Sequence, residues 1–223
     1  MIFGLHSIIE AIEAGRDIEK IYLKRDFGGE LVKTLFAKIK TYGIPCRKVP
    51  VEKLNSFTEK NHQGAVAFVA EISYSNISDI IPTLYEAGKT PIIVALDGVT
   101  DIRNFGAISR TCECAGVDAI LLPSYCSATI NADAVKTSAG ALHYLPVCRT
   151  DNLCQAIKFL KDSGFTVIAL SEKANTAYTD QDYSSPTVLV LGAEDRGISS
   201  EVLSLCDSKV KIPVLGKIES LNV

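Results

Sequence analysis

Asn104, Arg110, Glu194, Ser220 and Asn222 are the side chains whose type and placement could do chemistry, because each follows a short apolar run and a glycine. Asn104 and Arg110 come after Ile92 to Leu96 and Gly98, and Glu194 comes after Val188 to Leu191 and Gly192. Ser220 and Asn222 come after Lys209 to Ile212, with Pro213 and Gly216 between. An amide, a guanidinium, a carboxylate and a hydroxyl gathered at one place can orient a hydroxyl-bearing substrate and stabilise charge that develops on it. The glycine loops would offer backbone amides and carbonyls to a small polar ligand.

Each assignment has a plain alternative. Asn104 stands where an N-cap belongs, with Gly106 in the first turn of a helix over Phe105 to Ala115, where a glycine lets a substrate or another backbone approach. Arg110, nearly two turns on, suits a phosphate or carboxylate, or equally a surface ion pair. Glu194 lies between Gly192 and Gly197, so it could accept hydrogen bonds from a ligand or simply belong to a tight turn leading to a Ser199 cap.

Several chemistries are absent. None of the glycine loops reads G-x-G-x-x-G or G-x-x-x-x-G-K-[ST], so the usual dinucleotide and triphosphate cradles are missing. His6, His62 and His143 lie in unrelated contexts with no G-x-S-x-G elbow, which leaves them packing or ligand-facing roles rather than catalysis. The seven cysteines, Cys46, Cys112, Cys114, Cys126, Cys148, Cys154 and Cys206, include no C-x-x-C pair, and Cys112-x-Cys114 alone cannot build a zinc site. Reduced thiols packed as small hydrophobes are expected, and no metal. No apolar run approaches the roughly 18 to 20 residues of a membrane span, and the N-terminus lacks a basic, cleavable leader, so a cytoplasmic protein is expected.

The elements that must position these residues are set by periodicity. Gly4 to Gly15 predicts a helix through Leu5, Ile8, Ile9 and Ile12, and Ile18 to Leu23 alternates as a strand. Glu30 to Tyr42 predicts a helix with Leu31, Leu35 and Ile39 on one stripe and Gly43 at its end. Strand Pro45 to Val49, helix Val51 to Phe57 and strand Gly64 to Ile72 complete a small α/β lobe of order β-α-β-α-β. The polar stretch Tyr74 to Asp79 marks a boundary, giving a first domain over 1–74, a linker and leading helix over 75–89, and a second domain over 90–223. The second domain alternates strands Pro91 to Leu96, Val117 to Leu122, Tyr144 to Cys148, Thr166 to Leu170, Thr187 to Leu191 and Lys209 to Ile212 with helices Asp79 to Ala87, Phe105 to Ala115, Ala132 to Ala139, Leu153 to Lys161 and Ser200 to Leu205. Continuous apolar runs such as Ile92 to Leu96 predict a mostly parallel sheet buried on both faces. All three glycine loops then sit at carboxyl ends of strands, where such sheets bind ligands.

The formal charge of −3 hides an asymmetry. Between residues 31 and 60, Lys33, Lys38, Lys40, Arg47, Lys48, Lys53 and Lys60 face only Glu52 and Glu59. Residues 76 to 223 are net acidic, with twelve Lys/Arg against seventeen Asp/Glu. That distribution fits a phosphate-backbone grip confined to the first lobe, or a solvated helix face.

The segments Asn104 to Thr111, Leu191 to Gly197, and Ile212 to Gly216 through Ser220 to Val223 resemble, in order, motifs 1, 2 and 3 of the SpoU (TrmH) family, RNA ribose 2′-O-methyltransferases of the SPOUT superfamily. Gly4-Leu5-His6 and His62-Gln63-Gly64 are similar to the substrate-binding domain of the subgroup acting on guanosine of 23S ribosomal RNA. The resemblance implies a C-terminal trefoil knot and a small L30e-like first domain that holds RNA. It implies S-adenosylmethionine bound by Leu191, Gly192, Ile212 and Leu221, and a homodimer. Catalysis would fall to Arg110, with Asn104, Glu194, Ser220 and Asn222 placing the reactants. The alternatives are a tRNA methyltransferase of the same family and a non-catalytic RNA-binding or ribosome-assembly protein. The sequence departs from the pattern at Ile102, where proline is frequent, and at Val223, beyond which the family continues into a helix that closes the knot and joins the dimer.

Overall fold

Strand alternation and helix stripes generate two compact units in the computed structural model, Met1–Ser73 and Tyr74–Val223. It describes residues 1–216 and 221–223. The first unit contains β1 (Ile2–Phe3), α1 (Leu5–Glu13), β2 (Ile18–Lys24), α2 (Glu30–Thr41), β3 (Cys46–Val49), α3 (Val51–Asn55) and β4 (Ala65–Val69). Its sheet has the order β1-β4-β2-β3, with β2 and β3 parallel and the other pairs antiparallel. Ile21 and Leu23 of β2 and Ala65 and Ala67 of β4 pack with α1 and α2 on one face. Alternation sends Tyr22, Val66 and Phe68 to the other face, where they meet Leu54 of α3.

Two expectations for this unit change. The buried stripe of α2 is Val32, Leu35 and Ile39, while Leu31 is exposed. At about 3.6 residues per turn, Val32 lies nearer the middle of the face set by Leu35 and Ile39 than Leu31 does. Strand β1 adds to the expected β-α-β-α-β order, and two residues are too short to show any period.

The second unit contains α4 (Ile77–Glu86), β5 (Ile92–Asp97), α5 (Ile102–Cys114), β6 (Ala119–Pro123), α6 (Ala132–Thr137), β7 (Val147–Thr150), α7 (Leu153–Asp162), β8 (Thr166–Leu170), β9 (Thr176–Ala177), β10 (Thr187–Gly192), α8 (Ser200–Leu203) and β11 (Ser208–Lys211). Its seven strands run in the order β7-β6-β5-β10-β8-β11-β9, and their pairings are parallel. The α/β class with a mostly parallel sheet is therefore as expected. Ile93, Ala95, Leu121, Val167, Val188 and Val190 form one core with Ile77 and Ile81 of α4 and Ile157 and Leu160 of α7. The alternate residues Val94, Leu96, Ile120 and Leu122 are equally buried, which is the signature of a sheet covered on both sides.

The strand expected from Tyr144 begins only at Val147, because Ala141–His143 make a short 3-10 turn that leaves Tyr144 exposed. Helix α8 stops at Leu203 rather than Leu205. The two-residue strand β9 at the sheet edge was not legible in the sequence.

Strand order decides where a ligand can enter. From β5 the chain builds outward through β6 to β7, then crosses to β8 on the opposite side, and β10 later inserts between β5 and β8. The sheet thus changes direction between β5 and β10, and a ligand-binding crevice is expected beyond the carboxyl ends of those two strands.

Candidate active site

Two loops meet at that crevice. Asp97, the last residue of β5, accepts a hydrogen bond from the Ser199 backbone N–H at 2.7 Å, tying the end of β5 to the residue that precedes α8. The loop after β10 closes on itself, with Ala193 N donating to Gly197 O at 3.1 Å and Gly197 N donating to Ala193 O at 2.8 Å. Glu194, Asp195 and Arg196 are left at its exposed tip. Closure depends on Gly192, because a Cβ there would lie 2.1 Å from the Gly197 carbonyl carbon.

The expected cap of α5 is corrected here. Asp101, not Asn104, is the N-cap, its carboxylate accepting from the N–H groups of Arg103 at 2.9 Å and Asn104 at 2.8 Å. The helix starts three residues earlier than periodicity suggested, because the capping signal lies upstream of the first apolar pair. Asn104 is thereby freed from capping. Its Nδ2 donates to Glu194 Oε2 at 3.2 Å, and its Oδ1 accepts from Asn222 Nδ2 at 3.1 Å. Asn104 and two side chains 90 and 118 residues away from it in sequence thus form one chain of hydrogen bonds.

Gly106 is corrected as well, since it lies in the second turn and serves helix packing. A Cβ there would come within 2.6 Å of Thr137 Cβ and 3.1 Å of Ala134 O on α6. Arg110 lies further along α5, six residues and roughly 9 Å of helix rise beyond Asn104. It is exposed and has no hydrogen bond or ion pair among the described residues. A crevice of about 300 Å³ is lined by Gly98, Val99, Thr100, Asp101 and Asn104 on one side, Ala193, Glu194 and Asp195 on the other, and Val223.

The remaining expected residues divide. Leu191 and Gly192 end β10 beside this crevice, half-buried and buried respectively. Ile212 and Leu221 are exposed and outside its lining. Ser220 lies outside the described residues. Sequence reasoning gave no role to Asp97 or Asp101. The Asp101 signal was available, an acidic cap three residues before a polar first-turn residue, whereas the Asp97 to Ser199 tie depends on the strand order alone.

The histidines and cysteines stand apart from the crevice. His62 is buried, with Nδ1 accepting from Gly64 N–H at 3.0 Å, so its proton is on Nε2 and is donated to Asn55 Oδ1 at 2.8 Å. It braces a turn. Burial pushes the thiols of Cys112 and Cys148 up to about 11 and about 12, which keeps them protonated and inert. Among the described residues no His, Cys, Asp and Glu group could hold a metal ion, and no helix is long and apolar enough to cross a membrane.

With this geometry in view, two family models match the chain. Residues 91–223 match the SpoU rRNA Methylase family, and residues 1–75 match the RNA 2′-O ribose methyltransferase substrate-binding family. The chain belongs to the SpoU rRNA methylase family. It is an RNA methyltransferase by that membership. A Staphylococcus epidermidis protein named for the TrmH family of tRNA/rRNA methyltransferases is 32% identical over 222 residues, covering 100% of this chain and 89% of that protein. Among solved structures, an AdoMet-bound rRNA methyltransferase from Sinorhizobium meliloti is 28% identical with a TM-score of 0.61, covering 99% of this chain and 80% of that one. A TrmH/SpoU tRNA modifying enzyme from A. aeolicus is 31% identical with a TM-score of 0.54, covering 66% of this chain and 76% of that one.

Proposed function

We propose that this SpoU-family chain methylates the ribose 2′-hydroxyl of a guanosine in 23S ribosomal RNA, using S-adenosylmethionine. The observation that carries the reading is the Glu194–Asn104–Asn222 hydrogen-bond chain across the β5/β10 crevice. A C-terminal segment that leaves β11, two strands beyond β10, and reaches Asn104 by Asn222 also supports the threaded knot of the family. Domains at 1–74 and 90–223, with a linker and leading helix between, belong to the same proposal, as does a homodimer.

The crevice suits the cofactor because Gly192 admits no side chain and the self-closed Ala193 to Gly197 loop presents backbone rather than bulk. Leu191 and Gly192 would hold it, with Ile212 and Leu221 from the C-terminal segment. S-adenosylmethionine, when bound, supplies an electrophilic sulfonium methyl group. The side chains then position the acceptor, which accounts for much of such a rate. Asn104 is held at both ends of its amide, so it is a rigid positioner. Glu194 keeps Oε1 unengaged among the described residues and can accept a hydrogen bond from ribose. The Arg110 guanidinium offers donors and no acceptor, so its part is to bind phosphate and to ease negative charge developing on the 2′-oxygen rather than to take the proton. Ser220 and Asn222 complete the placement of cofactor and ribose.

Ribosomal RNA is favoured over tRNA because the likeness to the S. meliloti rRNA enzyme runs through the first unit, whereas the likeness to the A. aeolicus tRNA enzyme covers 66% of the chain. The test is transfer of labelled methyl from S-adenosylmethionine to 23S rRNA fragments and to tRNA transcripts, with the product nucleotide mapped. Methylated 2′-O-guanosine in a 23S fragment is the expected result. Label in tRNA alone would move the target to tRNA, and no label in either, with S-adenosylhomocysteine failing to bind by calorimetry, would leave an RNA-binding protein without catalysis.

A further inference from the structure

The face of the first unit's sheet that α1 and α2 leave uncovered carries a consistent set of groups. Phe3 on β1, Phe68 on β4, Tyr22 on β2 and Phe57 just after α3 are half-buried around a small apolar patch formed with Val49, Leu54 and Val66. Tyr22 and Phe57 lie 4.9 Å apart between ring centroids, and Phe57 and Phe68 5.3 Å apart in an edge arrangement. Cations surround these rings. Lys20 Nζ lies 5.5 Å from the Tyr22 centroid, Lys53 Nζ 5.0 Å from Phe57, and Lys60 Nζ 5.9 Å from Phe3. The register adds Arg47, which pairs with Tyr22 across β2 and β3, and sets Lys20 beside Phe68.

None of Lys20, Arg47, Lys53 and Lys60 is in an ion pair among the described residues, whereas Lys38 on α2 is paired with Glu13 at 2.8 Å. Glu52 and Glu59 are the only acids between residues 31 and 60. An aromatic patch ringed by unpaired cations is matched by a ligand that is flat, apolar on its faces and anionic along its backbone. Unpaired RNA has that chemistry, because its bases stack on side-chain rings while its phosphates reach the surrounding lysines. Duplex RNA hides its base faces and can use only the charges.

We propose that this face, centred on Tyr22 and Phe68 and rimmed by Lys20, Arg47, Lys53 and Lys60, is where the enzyme docks a single-stranded segment of its RNA substrate. The inference rests on the RNA-methyltransferase reading and assigns the docking surface within it. A lysine that now lies over a ring moves to a phosphate when a base takes its place on the ring. The face selects unpaired RNA through stacking and contributes affinity through charge.

The test measures affinity of the full chain for a mixed-sequence single-stranded RNA of about 12 nucleotides and for a duplex of the same length, as a function of salt. Lys20→Glu and Lys53→Glu should each weaken single-strand binding about tenfold or more and lower the salt slope by about one per cation. Tyr22→Leu, which keeps apolar volume, should weaken single-strand binding about tenfold while duplex binding hardly changes. Lys33→Glu and Lys40→Glu on α2 serve as controls and should change little. Thermal melting checks folding, and the lysine variants alone keep the proposal testable should Tyr22→Leu fold poorly. Unchanged RNA affinity in the Lys20 and Lys53 variants, an equal loss in the α2 controls, or a preference for duplex each overturns it. Methyl transfer at saturating RNA separates the two ideas: near-normal turnover in the face variants together with weakened binding is expected, while turnover absent from the unaltered protein counts against the methyltransferase reading and not against this surface.

Discussion

In the Tyr74–Val223 unit the polar side chains gather beyond the ends of the strands, whereas in the Met1–Ser73 unit they stand on the face of the sheet. The cause is how each sheet is covered. Seven parallel strands with buried residues on both sides leave no free face, so chemistry must lie in the loops, where Asn104, Glu194 and Asn222 meet and Asp97 ties the end of β5 to Ser199. Four mixed strands with α1 and α2 on one side leave the opposite face only partly covered by α3, and aromatic rings and lysines occupy it. The charges differ in the same sense. In the second unit Lys89 pairs with Asp118 at 2.8 Å and Lys161 with Asp207 at 2.6 Å, while Lys20, Arg47, Lys53 and Lys60 on the face of the first unit are in no ion pair among the described residues. On the two proposals made above, the site that holds a reactant in one geometry is the cross-tied one, and the surface that receives a long flexible polymer is the one that keeps its charges available.

The largest effect should come from closing the strand-end crevice. Gly192→Ala forces a Cβ into the Gly197 backbone, so methyl transfer and S-adenosylhomocysteine binding should both vanish and stability should fall by about 1 to 3 kcal/mol, read by activity, calorimetry and melting. Retained activity would show that the crevice is not the site and would end the contrast between strand ends and sheet face. Next is Arg110→Lys, which keeps charge but loses the planar fork and should lower kcat by about a hundredfold. Because Arg110 is exposed and untied among the described residues, the variant's melting temperature should stay put, and a large thermal loss would instead make Arg110 a structural residue.

A smaller effect separates the cap from the site on one helix turn. Asp101→Ala should cost about 1 kcal/mol of stability, since it removes the acceptor for two free helix amides. Asn104→Ala should change stability by no more than about 0.5 kcal/mol while lowering turnover about tenfold. Equal thermal losses would mean that the Asn104 hydrogen bonds serve folding rather than positioning.

The smallest effect concerns acid stability of the second unit. Burial raises the Asp207 pKa, but its hydrogen bonds from Lys161 and the Val167 N–H and the nearby Lys161 charge outweigh this, and the net direction is downward from 3.8. A depressed carboxylate contributes stability that is complete above the unfolded value and is lost as pH falls through the folded one. Asp207→Asn should therefore lower stability at neutral pH and flatten its decline below about pH 4, measured by denaturation across pH. An unchanged acid slope would show that this tie is no firmer than the solvated charges of the first unit.

Much of the architecture was legible because it is written in periods. The runs Ile92 to Leu96 and Val188 to Leu191 gave buried parallel strands, and the glycine loops after them gave the end of the sheet where Asn104 and Glu194 now meet. What periods do not carry was missed. Strands β1 and β9, of two residues each, are set by neighbours, and the start of α5 moved because a cap is a single hydrogen-bonding residue rather than a pattern. Leu31 and Val32 exchanged places because adjacent apolar residues compete for one face.

By itself the sequence determined the residue types, the alternation of strands and helices and the excess of lysine between residues 31 and 60, since these depend on local spacing and composition. Only the tertiary structure decided that β10 lies between β5 and β8, and with it that Asn104 lies within hydrogen-bond reach of Glu194 and Asn222. Contacts across 90 and 118 residues arise from the order in which strands pair, and that order is fixed by packing of the whole sheet, not by any stretch of chain taken alone.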